Sequence, residues 1–348
     1  MPKILIVDSY YPEFLCSVGI GTSYDRSLRL LMGQSFGTAD FYSRHLAMLG
    51  WDTVDVIANA DFQYQWAREK MVDGSLPEVL LHQIQWHQPD VLFFQDLSLM
   101  APDVLGGLHQ KYLLAGQCSC PMPQESQIRQ FHVLFTSFPH YVSRFEAYGV
   151  KAVYNPLAFD PVVLERLNRI YQFGPKAFDC VFIGGVGAPS HWKYGMQVLE
   201  TVAQKVPEAW FFGYGYDRLD RNSPVRAKYI GEAWGLRQYE ILCRSRMAIN
   251  RHGEVAENYA NNMKLFEITG AGALLITDMK ENLEDFFEIG HECAVYSDPD
   301  DAVSCIRYFQ RNPEEAAQLA KRGQQRTLRD HTYEKRMKTV SDTLKGML

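Results

Sequence analysis

The chain has 348 residues, of which 47% are hydrophobic and 13% aromatic, and this length and composition favour two domains with sizeable cores. Its net charge of -6 at pH 7 leaves no basic surplus to neutralise a phosphate backbone, so no nucleic-acid partner is expected. No apolar run approaches the roughly 20 residues of a membrane-spanning helix, so no membrane span is expected either.

The first half of the chain alternates patterns typical of strands and helices. Its start, M-P-K-I-L-I-V-D, reads directly as a strand without the features of a signal peptide, which favours a cytoplasmic protein. Strands are predicted at 3–8, 53–58, 91–95, 133–137 and 152–154, with helices at 41–49, 78–86 and 141–148. Alternation at this spacing predicts a parallel sheet with helices on both faces, which is a doubly wound α/β domain.

Seven cysteines are scattered along the chain. Cys118 and Cys120 form a C-x-C pair, but no second pair lies at metal-ligand spacing. We interpret all seven as reduced thiols of a cytosolic protein, and we predict no metal site.

A second alternating series begins near Phe178. Strands are predicted at 179–183, 209–212, 248–250, 273–277 and 294–296, and helices at 194–205, 237–244, 282–287, 300–311, 314–329 and 333–345. The proline-containing segment 155–176 is the predicted junction. The chain is therefore expected to form Rossmann-like domains at 1–155 and 156–330, with a separate final helix within 331–348.

Two such domains are expected to face a central cleft. Ligands of these sheets bind at the carboxyl ends of the strands. We therefore expect one cleft to be lined by the residues at five strand ends, namely Asp8, Gln95, Gly184, Gly213 and Asn250.

The most informative segment spans residues 248–278. A strand ends in Asn250-Arg251-His252-Gly253, a helix opens at the turn containing Asn261 and Asn262, and Gly270 and Gly272 close it. A helix N-terminus carries unpaired N–H groups and partial positive charge, so it suits an anion such as phosphate.

Lys264 and Glu267 lie three residues apart and so share a face of that helix. A cation near the helix start and a carboxylate further along suit a nucleoside diphosphate with its ribose hydroxyls. The alternative is that both are solvated helix residues, although Glu267 stands between apolar neighbours.

Two further segments suit a nucleotide. Gly184, Gly185 and Gly187 follow a strand and precede a helix that begins near Lys193, so their N–H groups could approach a phosphate. The alternative is an ordinary tight turn, and a dinucleotide fingerprint for hydride transfer fits less well. Around Ile230 and Trp234 a backbone edge and an aromatic ring could receive a base, or the segment could simply connect strand to helix.

Four residues of the first half, each following a strand or preceding a helix, are candidate general bases, namely Glu13, Asp40, Asp96 and His140. Each could instead cap a helix or lie on the surface, and the sequence does not choose among them. Thr38 or Asp40 is predicted to cap the helix at Phe41. The run D-P-D-D at 298–301 predicts a helix N-cap rather than a metal site.

Residues 178–340 resemble the spore-maturation-protein B-like (CgeB-like) glycosyltransferases. The resemblance rests on Asn250, His252, Lys264, Phe266-Glu267, Gly270-Ala271-Gly272 and the strand at 274–278, followed by Gly290-His291-Glu292, Tyr296, His331-Thr332-Tyr333 and Arg336. It implies the GT-B fold, with the nucleotide sugar held mostly by the C-terminal domain and the acceptor mostly by the N-terminal one. It also implies that Glu267 holds the ribose, that no divalent metal is needed, and that the final helix packs back on the N-terminal domain.

Two positions depart from the family pattern. The usual Arg is Lys264 here, so a point charge replaces a bidentate phosphate contact. Tyr259 stands where the large retaining branch has a second Glu, so retaining chemistry by that pattern is not predicted.

The sequence therefore predicts a metal-independent, hexosyltransferase-type enzyme that moves a sugar from a nucleoside-diphosphate donor to a glycan or small-molecule acceptor. The alternatives are a sugar-nucleotide epimerase or hydrolase on the same fold, and a non-catalytic nucleotide-sugar-binding protein. The base, sugar, acceptor, stereochemistry and oligomeric state stay open.

Overall fold

The computed structural model describes residues 1–187 and 193–348, with only the backbone of Lys193 and Tyr194. Internal contacts divide the chain into two units. Unit 1 comprises Met1–Pro156 together with Tyr333–Leu348, and unit 2 comprises Leu157–Thr332.

Unit 1 is built on a parallel six-stranded sheet of order β2-β1-β3-β4-β5-β6. Its central strands are apolar and buried on both faces, as helix-covered parallel sheets require. The strands are β1 (Lys3–Asp8), β2 (Asp52–Ile57), β3 (Val91–Phe94), β4 (Leu113–Cys118), β5 (Val133–Thr136) and β6 (Lys151–Tyr154). The helices are α1 (Pro12–Ser17), α2 (Tyr24–Gly33), α3 (Phe41–Met48), α4 (Gln63–Lys70), α5 (Leu76–His87), α6 (Pro102–His109), α7 (Glu125–Ile128) and α8 (Pro139–Ala147).

Unit 2 is built on a second parallel six-stranded sheet, of order β12-β11-β10-β7-β8-β9. Its strands are β7 (Phe178–Ile183), β8 (Ala209–Phe212), β9 (Tyr229–Gly231), β10 (Ser245–Ile249), β11 (Leu274–Asp278) and β12 (Ala294–Tyr296). Its helices are α9 (Val162–Asn168), α10 (Lys193–Lys205), α11 (Leu236–Cys243), α12 (Met263–Gly270), α13 (Pro299–Arg311) and α14 (Pro313–Asp330). The predicted doubly wound α/β fold is confirmed for both sheets.

The last helix, α15 (Tyr333–Lys345), belongs to unit 1. Its first residue, Tyr333, stacks on Phe41 of α3 with ring centroids 5.4 Å apart. Further along, Ser341 Oγ accepts a hydrogen bond of 2.9 Å from the indole N–H of buried Trp51. Chain-terminal residues thus complete the core of the unit formed by the beginning of the chain.

Three local predictions can be compared with the observed caps and turns. Asp298 caps α13 as predicted, accepting the N–H groups of Asp300 and Asp301 at 2.9 and 2.8 Å. The predicted side-chain cap of α3 is wrong, because Asp40 occupies the N-cap position without a capping hydrogen bond. The helix predicted at 282–287 is only a 3-10 turn, Leu283–Asp285.

Candidate functional site

The topological switch point of unit 2 lies between β7 and β10, where the strand order reverses and a doubly wound sheet opens a crevice. Arg251, which follows β10, crosses this point and donates from Nη2 to the carbonyl of Gly185 at 2.6 Å. Burial lowers the pKa of Arg251 to about 10, which still leaves the guanidinium charged at neutral pH. The sequence analysis did not single out Arg251, although it stands within the N-R-H-G quartet.

The glycine loop after β7 is packed against the loop after β8. The N–H groups of Gly184 and Val186 donate to the carbonyls of Phe212 and Tyr214 at 3.1 and 2.8 Å. A Cβ on Gly187 would lie 1.9 Å from the carbonyl oxygen of Gly215. Close loop packing therefore explains Gly187. The sequence analysis predicted that the Gly184 amide contacts a phosphate, but this amide already donates to Phe212 and is not available. The side chain of Lys193, the other predicted contact here, lies outside the described residues.

Gly213→Ala is expected to destabilise unit 2 by about 2–4 kcal/mol. The φ of Gly213 is +124°, and an added Cβ would stand 1.8 Å from the carbonyl oxygen of Gly184. Hydrogen exchange of β7 and β8 measures the change. Gly174→Ala is the control, because an added Cβ there meets no described atom within 4 Å. Equal protection in both variants would contradict the loop-packing explanation.

The start of α12 is tied to two strand ends by asparagine side chains. Asn262 caps the helix by accepting from Leu265 N at 3.2 Å, and its Nδ2 donates to Asn250 Oδ1 and to the Arg251 carbonyl, both at 3.0 Å. Asn250 in turn donates to Thr277 Oγ1 at 3.0 Å. Both side chains, predicted to bind nucleotide, are thus used within the protein to fix the helix start.

Lys264 and Glu267 share a face of α12, as their spacing predicted, and they form an ion pair of 2.5 Å with each other. The Glu267 side chain is 3% exposed and that of Lys264 is 23% exposed, so Lys264 is the more accessible partner. Two residues of α11 complete the cluster, because Gln238 Nε2 and Tyr239 Oη donate to Glu267 Oε1 at 3.1 and 3.0 Å. Sequence reasoning missed Gln238 and Tyr239, since only tertiary packing brings α11 to α12.

His252 forms a buried pair with Asp278 at the end of β11. Its Nδ1 lies 2.7 Å from Asp278 Oδ1, which also accepts the backbone N–H of His252 at 3.1 Å. Burial alone would raise the pKa of Asp278, but the His252 bonds and the nearby Lys280 ammonium lower it below its ordinary value. Asp278 is therefore a carboxylate that holds the imidazole in place.

An aromatic surface stands around the predicted base-binding segment. Trp234 stacks on Tyr214 with ring centroids 5.6 Å apart, and its indole N–H donates to Glu232 Oε2 at 2.8 Å. Ile230, on edge strand β9, is half exposed. A base beside these side chains stays a prediction.

Asp8 and Asp96 flank the switch point of unit 1, between β1 and β3. Asp96 accepts from Ser9 Oγ at 2.6 Å and from the backbone and hydroxyl of Ser98 at 3.0 and 2.6 Å. Burial raises the pKa of Asp8 to about 8. Asp8 is therefore a further candidate base. The sequence analysis placed it in the cleft but did not count it among the bases, although its position at the end of the first strand could have indicated that role.

The remaining predicted bases lie at the starts of three different helices. Glu13 is exposed in the first turn of α1, and Asp40 precedes α3. His140 is in the first turn of α8, with its ring 4.8 Å from that of Tyr141. Their catalytic roles stay predictions.

Two searches of the described residues gave no result. Residues 1–187 and 193–348 contain no group of three or more His, Cys, Asp or Glu placed to hold a metal ion. Within the same ranges, no helix combines the length and apolar character needed to cross a membrane.

Comparison with known proteins adds a family match and several similar folds. Residues 196–342 match the family model described as glycosyl transferase-like. No curated protein matches the chain. Among solved structures, Alr3699/HepE of Anabaena in complex with UDP and glucose is similar with a TM-score of 0.63 at 10% identity, covering 99% of this chain and 100% of that one.

Two other structures share the fold over nearly full length. AviGT4, a glycosyltransferase involved in avilamycin A biosynthesis, gives a TM-score of 0.63 at 14% identity over 98% of this chain and 96% of that one. UDP-GlcNAc 2-epimerase of Neisseria meningitidis, bound to UDP-GlcNAc, gives a TM-score of 0.56 at 13% identity. The match covers 98% of this chain and 99% of that one. Residues 196–342 are therefore similar to a glycosyl transferase-like family, and the chain has the two-domain α/β fold known as GT-B.

Proposed function

We propose that the protein is a glycosyltransferase that uses a nucleoside-diphosphate sugar as donor. The observation that carries this proposal is the paired Lys264 and Glu267 at the start of α12, inside the region that matches the glycosyl transferase-like family. The resemblance to spore-maturation-protein B-like enzymes supports the same function, and we propose that the protein belongs to that subfamily of glycosyltransferases. Seven free cysteines agree with a cytoplasmic location, which we also propose.

The donor site is proposed to lie at the carboxyl edge of the unit 2 sheet. Lys264, the Arg251 guanidinium and the N-terminus of α12 together offset the charge of the departing diphosphate. Fixed cations of this kind supply the electrostatic stabilisation that a divalent metal would otherwise give, so we propose metal-independent transfer. Glu267 receives the ribose hydroxyls, and Trp234 lies beside the base.

The acceptor is proposed to be activated in unit 1. Asp8 joins Asp96, Glu13, Asp40 and His140 as a candidate base. Asp8 is favoured among them, because burial raises its pKa to about 8 and so makes its carboxylate a stronger base.

Isothermal titration with UDP, GDP, ADP and dTDP tests the donor site. We expect one of these diphosphates to bind. Lys264→Ala should lower the affinity for it at least tenfold, because a charged phosphate contact is lost, whereas Lys264→Arg should retain most of the affinity. The control is Lys335→Ala, a charge removal on exposed surface of unit 1. If no diphosphate binds the wild-type protein, the proposal is wrong.

Donor turnover then separates the proposed function from its alternatives. Transfer of the sugar to an acceptor supports the glycosyltransferase. Release of an epimerised nucleotide sugar would instead indicate an epimerase, a reaction named for one of the similar folds. Tight donor binding without turnover on any acceptor would indicate a binding protein.

A further inference from the structure

The segment between β10 and α12 is held firmly at several points. The backbone N–H of Ala260 donates to Asn282 Oδ1 at 2.5 Å, and Lys280 Nζ donates to the carbonyl of Glu257 at 3.0 Å. Asn262 joins the end of the segment to the carbonyl of Arg251 at its start. The side chains of this segment are therefore presented on a fixed backbone.

Two side chains of the segment have buried polar atoms that lack hydrogen-bond partners. The His252 side chain is 0% exposed, and among the described residues no group bonds to its Nε2. Both amide atoms of Asn261 are likewise buried without a partner in the described part of the chain. Leaving such atoms unpaired costs about 1–3 kcal/mol each, so a ligand that supplies the missing bonds gains that energy on binding.

Asp278 determines what His252 can offer to a ligand. The Asp278 carboxylate accepts hydrogen bonds from His252 and from Thr277 Oγ1 at 3.3 Å, and Lys280 Nζ lies 3.4 Å from its other oxygen. A carboxylate only accepts, so His252 Nδ1 carries a proton and donates to Asp278, and Nε2 of the neutral imidazole then presents a lone pair. In the neutral imidazole the free atom of His252 is therefore a hydrogen-bond acceptor.

The chemistry of the missing partner follows from these two side chains. An ionised phosphate offers only acceptors and would face the lone pair of Nε2 unfavourably. A hydroxyl both donates and accepts, so it satisfies Nε2 and either atom of the Asn261 amide. The ribose hydroxyls are already assigned to Glu267, which leaves the hydroxyls of the sugar.

We propose that His252, oriented by Asp278, and Asn261 form the sugar-hydroxyl subsite of the donor site, with His252 Nε2 accepting a hydrogen bond from a hydroxyl of the transferred sugar. This assignment rests on the proposed function. It adds that His252 and Asn261 recognise the sugar of the donor. Asp278 is a positioning residue, since it acts on the sugar only through His252.

The test compares a nucleotide sugar with its free diphosphate, using UDP-glucose, GDP-mannose, ADP-glucose and dTDP-glucose as probes. For the nucleotide sugar and the matching diphosphate that bind the wild-type protein, we expect His252→Phe to lower the affinity for the nucleotide sugar about tenfold. The affinity for the diphosphate should stay unchanged. Asn261→Ala should give the same pattern without loss of stability, because its amide makes no bond to the residues that the structure describes. His291→Phe is the control, since that histidine side chain is 64% exposed.

A second readout needs no variant. Long-range nitrogen–proton NMR of the wild-type imidazoles should show His252 as the Nδ1–H tautomer, with the Nε2 resonance moving on addition of the nucleotide sugar but not of the diphosphate. If His252→Phe and Asn261→Ala lower the affinities for the nucleotide sugar and the diphosphate equally, or change neither affinity, the subsite assignment is wrong but the proposed function stands. A wild-type protein that binds none of the probes would overturn the proposed function and the subsite with it.

Discussion

Glu267→Ala is expected to lower the stability of unit 2 by about 3–5 kcal/mol, the range for removing one partner of a buried ion pair. The variant leaves the Lys264 ammonium uncompensated, and it removes the acceptor of Tyr239 Oη and Gln238 Nε2. If Glu267 acted on the ribose alone, this change would weaken nucleotide binding without unfolding the chain. The 3% exposure of the Glu267 side chain makes a stability loss the expected result instead.

Hydrogen exchange read by mass spectrometry measures this loss, because peptides from β11 and α12 report on unit 2 separately from unit 1. Glu284→Ala is the matched control, as Glu284 is an exposed carboxylate of the same unit. The protection of Glu267→Gln should lie between those of Glu267→Ala and Glu284→Ala, since an amide still accepts a hydrogen bond from Tyr239 but carries no charge. Protection equal to that of the control would show that the ion pair is not important for stability.

Asp8→Asn is expected to make unit 1 more stable than the wild type, by a much larger margin at pH 8 than at pH 5. The folded-state pKa of Asp8 is about 8, against 3.8 for the ordinary carboxyl, so the folded chain keeps a proton that the unfolded chain releases. The contribution of this proton to stability is fully present below the ordinary pKa and is lost as the pH rises towards 8. The slope is at most about 1.4 kcal/mol for each pH unit.

Asp55 adds to the same pH dependence, because burial raises its pKa to about 7 in spite of the hydrogen bond from Ser43 Oγ. Hydrogen exchange of β1 and β2 at pH 5 to 8.5, corrected for intrinsic exchange rates, gives the slope for wild type and variant. Asp73→Asn serves as control because Asp73 is exposed. A wild-type slope that Asp8→Asn does not reduce would show that Asp8 ionises normally in the folded protein.

Most elements of the fold could be predicted because their signals are local. The strands Lys3–Asp8, Ala209–Phe212 and Ala294–Tyr296 and the helix Tyr333–Lys345 were predicted with their observed bounds. Strand β4 was missed, since L-L-A-G-Q-C lacks the β-branched residues that mark a strand. Its Gly116 is explained only by packing, as a Cβ there would lie 2.5 Å from a Leu97 methyl carbon.

The candidate site was only partly predictable, for a similar reason. The spacing of Lys264 and Glu267 shows that they share a helix face, whereas their bonds to α11 depend on packing between distant segments. Asn250 and Asn262 were predicted to bind ligand because they lie at a strand end and a helix start. The structure instead uses both to join a strand end to a helix start.

The sequence by itself determined two series of alternating strands and helices, the glycine turns, the cap at Asp298 and a polar segment before α12. These features follow from backbone preferences and from periodicities of two and 3.6 residues, which act over a few positions. Only the tertiary structure decided which polar side chains bond internally and which, like His252 Nε2, have no hydrogen-bond partner within residues 1–187 and 193–348. Hydrogen-bond partners of buried groups come from residues far apart in the chain, so their assignment requires the packed fold.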